Sequence, residues 1–154
     1  MKVFLDTNVI IDYFDSQREH YLPAAILFDL AMKGKLELTV CAQSFITAFY
    51  VLGKYYPKQE LYTSMRSLYK LCGVSPVDAS IIEQALALES VDFEDTVQYL
   101  SSSTADVDII ITRDEHGFRD FPIRHVTAEQ FLMSIFSKIF ESSVSAPLSP
   151  LTIN

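Results

Sequence analysis

Glycine is scarce, with 4 in 154 residues, too few for the many tight turns of an all-β barrel. Cys41 and Cys72 stand alone without CxxC spacing. Neither a zinc site nor a disulfide framework is therefore indicated, and two buried reduced thiols are expected. Positive charge is also short: 12 Lys and Arg face 20 Asp and Glu, a formal net charge of -8. Such a surface repels phosphate as a whole, so any phosphate-handling site must be local and must use a cation. No apolar run approaches the ~20 residues of a membrane span. Asp6 and Asp12 interrupt what would be a signal-peptide core. A cytoplasmic protein with no membrane partner is expected.

What is present alternates between two periods. Val3-Phe4-Leu5 reads as a short buried strand, and Thr7 or Asn8 is placed to cap a helix reaching Phe14. A second helix fits 21–34, with Gly34 stopping it. Leu36, Leu38 and Val40 alternate as in a strand. "QSFITAFYVLGKYY" is apolar nearly all round, which predicts a central helix over 43–56 ended by Pro57. An amphipathic helix follows over 58–72, then a strand at 74–77. Asp78 and Asp92 are placed to cap two further helices. "DIIIT" is a continuous apolar run of the parallel, doubly covered kind. A short strand near 124–126 and a helix over 127–142 close the domain. This order specifies an α/β fold, three-layered α/β/α with a mostly parallel central sheet. The expected division is one domain at 1–142 and a Ser- and Pro-rich tail at 143–154.

Working sites of open α/β sheets lie at the carboxyl ends of the strands. Asp6 follows the first strand, Asp114 follows "DIIIT", and Asp92, Glu94 and Asp95 open the helix before it. Each has a plain structural alternative. Asp6 fits a helix cap, the acids at 92–95 favour a helix dipole, and Asp114 suits an Asx-turn. Together they point elsewhere, because carboxylates about 4 Å apart repel by ~4 kcal/mol at an effective dielectric near 20. A cation between them relieves this, and oxygen ligands without Cys or paired His indicate Mg²⁺ or Mn²⁺.

"VFLDTNVIID" and "DFEDTVQYLSSSTADVDIIITRDEHGF", with the α/β pattern between them, resemble the PIN-domain ribonucleases. That family includes toxins of the VapC type from bacterial toxin–antitoxin pairs. The resemblance spans about residues 2–135. It implies a parallel sheet flanked by helices, Mg²⁺- or Mn²⁺-dependent cleavage of RNA, frequent homodimers and an antitoxin partner. It carries over to Asp6, Asp95 and Asp114 as catalytic, metal-binding acids. Asn8 and Thr112 match the family's polar orienting residues.

One departure stands out. The family usually carries a Glu on the helix after the second strand, and no acid occurs here between Glu37 and Glu60. Phe49 is read as the matching position, and Glu37 as a mid-strand residue facing away. Glu94 as a further metal ligand, or water held by Ser44 or Thr47, is the expected substitute. Arg113 and Arg119 are candidates for phosphate contact, although such residues are commonly just solvated. His116 and His125 have no ligand partner in the sequence. The alternative function is a catalytically weakened PIN-like module acting through protein or RNA binding. A phospho-accepting receiver domain needs a Lys after its last core strand, and "TRDEHGF" offers none.

Overall fold

The computed structural model describes residues 1–144, with side chains to Ser142. The expected tail lies beyond these from residue 145 on. Five strands, β1 (Lys2–Leu5), β2 (Glu37–Cys41), β3 (Gly73–Ser75), β4 (Ile109–Ile111) and β5 (His125–Val126), form one sheet. Its order is β3-β2-β1-β4-β5 and every pairing is parallel. The helices are α1 (Thr7–Phe14), α2 (Tyr21–Met32), α3 (Ala42–Leu52), α4 (Lys58–Leu71), α5 (Ala79–Leu88), α6 (Phe93–Ser103), α7 (Glu115–Phe118) and α8 (Ala128–Val144).

Strand side chains alternate between faces, and both faces are covered. Val3, Leu5, Leu38, Val40, Ile109 and Ile111 join a core with Ile10, Leu27, Phe28, Leu52, Leu68 and Phe131 of α1, α2, α3, α4 and α8. On the other face Phe4, Cys41 and Ile110 pack with Phe118 of α7, and with half-buried Tyr99 of α6. The result is the expected three-layer α/β/α fold. Truncating fully buried residues such as Leu5 or Ile111 to Ala should cost about 2–5 kcal/mol each.

Local signals explain most element ends. Gly34 adopts φ +70°, and with Lys35 returns N–H bonds to the carbonyls of Ala31 and Leu30, closing α2. Asp78 caps α5 by accepting from Ile81 N at 3.0 Å. Cys41 and Cys72 are buried free thiols, and burial pushes the Cys72 pKa up to about 12.

Three expectations fail. Neither Thr7 nor Asn8 caps α1, because the helix already begins at Thr7 and Asp6 holds the cap position. The 43–56 segment is not a central helix. It ends at Leu52, and only Ser44, Ala48 and Leu52 are buried, while Ile46 and Tyr50 are 73% and 70% exposed. Glu37 is not mid-strand but opens β2, opposite Lys2, at the amino end of the sheet. Among the described residues, no helix is long and apolar enough to cross a membrane.

Candidate functional site

From β1 the chain moves outward to β2 and β3, then returns past β1 to β4 and β5. The order therefore reverses between β1 and β4, which leaves a crevice at their carboxyl ends. Asp6 is the first residue beyond β1, and its N–H donates to Ile111 O at 2.9 Å, locking it against the end of β4. Its side chain makes no helix-capping hydrogen bond. Instead Oδ1 accepts from Gln98 Nε2 at 2.9 Å and Oδ2 from Thr112 Oγ1 at 2.8 Å. The carboxylate is 2% exposed. Burial raises its pKa, opposed by Thr112, Gln98 and the nearby amides of Thr7 and Asn8.

Asp95 stands in the first turn of α6. Asp92 caps that helix, its Oδ1 accepting from Asp95 N at 2.9 Å. The Asp95 carboxylate lies against the backbone of Gly117, where an added Cβ would come within 1.5 Å of Oδ2. No larger residue fits at 117 without moving Asp95. Burial, then the negative charges of Asp6, Asp92, Asp114 and Glu94, push the Asp95 pKa up to about 8. Glu94 is raised by burial and then by Asp6 and Asp92. Asp114 caps the short α7, Oδ1 accepting from His116 N at 3.0 Å, and its own N–H donates to Thr112 Oγ1 at 3.0 Å. The turn reading of Asp114 is thus realised without removing it from the crevice.

Asp6, Asn8, Thr47, Asp92, Glu94, Asp95, Gln98 and Asp114 line one cleft of about 180 Å³. Its one basic lining residue, Arg18, is bound to Asp12. Carboxylates raised by burial and mutual repulsion, with only oxygen donors around them, fit a hard divalent cation. Among the described residues, no three His, Cys, Asp or Glu side chains yet form a closed ligand group. The acids are a lining, not a finished coordination shell.

The structure brings Asp6, Asn8, Glu94, Asp95 and Asp114 to this cleft, with Thr112 directly behind Asp6. It does not bring Ser44, which is buried and bonded to Thr7 Oγ1 at 2.7 Å. Phe49 is corrected as well. It packs against the core and meets the Tyr62 ring edge-on at 5.0 Å, on the far side of α3. Thr47 and Val51 are the α3 residues that face the acids. Arg113 is exposed yet tethered, since its Nε lies 3.1 Å from Asp12 Oδ2. Arg119 stands 3.7 Å from Asp120, exposed. Gln98 was missed, although it falls one helical turn beyond Asp95, on the same face. Asp12 and Arg18 were missed because nothing local marks an Asp inside an apolar helix as paired.

A sequence model of the PIN domain matches residues 2–116. Ribonuclease VapC1 of Aquifex aeolicus (strain VF5) is 27% identical over 135 residues, covering 84% of this chain and 92% of the relative. Among solved structures, the fold is similar to Mycobacterium tuberculosis VapC20, a Sarcin-Ricin loop cleaving toxin. The TM-score is 0.63 at 12% identity, over 77% of this chain and 95% of that one. A toxin–antitoxin complex from Klebsiella pneumoniae aligns with TM-score 0.59 at 20% identity, over 82% and 97%.

Proposed function

The chain belongs to the PIN domain family, and from that premise we propose that it is a divalent-metal-dependent endoribonuclease of the toxin type. The observation that carries this reading is the pair of buried carboxylates at the β1/β4 switch point, Asp6 and Asp95. Half-buried Glu94 and exposed Asp114 stand beside them, and among the described residues none of the four has a counter-charge. Asp6, Asp95 and Asp114, with Glu94 beside them, would hold Mg²⁺ or Mn²⁺. The bound ion would withdraw charge from the scissile phosphate and acidify a water. The chain's own residues supply position. Gln98 and Thr112 fix the Asp6 carboxylate in one rotamer, and Gly117 lets Asp95 sit flush against α7. The repulsion that raises Asp95 in the metal-free chain is what a bound cation would relieve.

RNA cleavage during a Mn²⁺ titration, with wild type beside Asp6→Asn, tests this. Cleavage that depends on metal and is lost in Asp6→Asn is expected. Cleavage that survives EDTA, or survives the substitution, overturns it. The second reading is a weakened module that binds without cutting. It is favoured by α3 presenting Thr47 and Val51, not an acid, to the cleft, and it is supported if metal binds with no cleavage.

The partners proposed are an RNA substrate, an antitoxin protein and a second copy of the chain. Exposed apolar side chains support a protein interface, including Ile46 and Tyr50 of α3 and Leu22 and Met32 of α2. A 17.5 kDa monomer at every concentration in light scattering would remove the homodimer.

A further inference from the structure

We propose that Arg18 and Arg113, aimed by the buried Asp12 carboxylate between them, form a phosphate-positioning rim that aligns an RNA backbone over the acid cleft; this rests on the ribonuclease reading. Asp12 is 1% exposed. Its Oδ1 accepts from Arg18 Nη1 at 3.2 Å, and its Oδ2 lies 3.1 Å from Arg113 Nε. A single cation neutralises a buried carboxylate, so two exceed what burial requires. Both guanidiniums remain about a third exposed, at 29% and 34%. Arg18 lines the cleft itself, and Arg113 lies in sequence between Thr112 and Asp114.

Arg18 is the one basic residue lining the cleft among the described residues, and Arg113 stands next to Asp114 in sequence. The chain is strongly acidic, and Lys54 and Lys58 lie over the Tyr50 and Tyr62 rings of α3 and α4. Arg18 is partly committed, since its Nε also stands 3.6 Å from Asp15. Among the described residues, the two Nη nitrogens of Arg113 carry no hydrogen bond. Arg113 is thus the stronger contact, because a guanidinium held at Nε keeps a flat pair of donors that matches phosphate. Asp12 touches no substrate and is a positioning residue.

The test is fluorescence anisotropy of an end-labelled oligouridylate on the full-length protein, in EDTA and again with Mn²⁺, across a salt series. Arg113→Gln should weaken binding roughly tenfold. It should also flatten the slope of log affinity against log salt by about 0.7, the value for one phosphate contact on a single strand. Arg18→Gln should do the same more weakly. A purely structural pair would change melting but not the salt slope. Should Arg113→Gln fail to fold, Arg113→Lys keeps Asp12 paired but loses the planar fork, and weaker binding is still expected. An unchanged salt slope in a folded Arg113 variant overturns the proposal, as does absence of binding by wild type in both conditions. Binding with the predicted slopes but no cleavage in Mn²⁺ supports the rim and removes only the nuclease reading.

Discussion

Asp6 and Asp12 lie within one short stretch of chain and are buried to the same degree, 2% and 1% exposed. Their surroundings are opposite. Asp12 is gripped by two guanidiniums, whereas Asp6 meets only the uncharged donors of Gln98 and Thr112, with other acids nearby. The fold thus had cations to spend on a buried carboxylate and placed them at Asp12. A carboxylate left without a counter-charge is unstable as it stands, so its balance must come from outside the chain. That contrast separates a charge that the protein satisfies itself from one reserved for a ligand.

The largest effect comes from making the two sites alike. Replacing Arg18 and Arg113 together with Ala strands the Asp12 charge and should cost about 3 kcal/mol, at the low end because both guanidiniums are partly exposed. Urea unfolding reads this, and adding Asp12→Leu to the double variant should recover much of it. Stability unaffected by the double substitution would break the contrast.

A smaller effect, of opposite sign, is expected at the unpaired site. Asp95 ionises at the ordinary 3.8 when unfolded and at about 8 when folded without metal. Between those values the folded state holds a proton that the unfolded chain has released. Stability is therefore highest below the unfolded pKa, falls as pH rises, and reaches its full penalty above about 8. The unscreened shift would cost roughly 3–4 kcal/mol between pH 5 and pH 8, and solvent screening in the open cleft reduces the expected loss in EDTA to about 2 kcal/mol. Asp6 and Glu94, also raised, push the same way. Asp95→Asn should flatten most of this slope, and so should Mn²⁺ bound to wild type. A flat profile in the metal-free wild type would count against an uncompensated cluster.

The smallest effect sharpens the map of the unpaired side. Thr47→Glu adds an acid to the cleft and should raise Mn²⁺ affinity about tenfold, while costing the metal-free protein about 1 kcal/mol. Phe49→Glu should lower stability by a similar amount through lost packing and leave metal affinity unchanged. Isothermal titration of both variants distinguishes them, and a gain at 49 with none at 47 would reverse the geometry of α3.

The strands and the acids at their ends were legible because the signals are local. An unbroken run such as Ile109–Ile111 says doubly covered strand, and Asp78 and Asp92 cap as their positions suggest. What failed needed three dimensions. A helix apolar on every side looks central, yet Ile46 and Tyr50 of α3 face outward, because hydrophobicity alone does not set which side of a helix is covered. Phe49 is the position read as matching the family's Glu, and the helix turns Thr47 to the cleft instead. Gln98 and the Asp12 clamp rest on contacts across distant segments, for which the sequence carries no periodic mark.

The reversal of strand order between β1 and β4 has a consequence in time. Asp6 is translated well before its partners Gln98 and Thr112, which lie 92 and 106 positions later. Contacts of such range form late, after the entropy of closing a long loop has been met. A nascent chain therefore carries its first acid long before the strand that completes the site. Until β4 has been made, the chain holds its first acid without the donors that fix it, and the cleft stays unassembled.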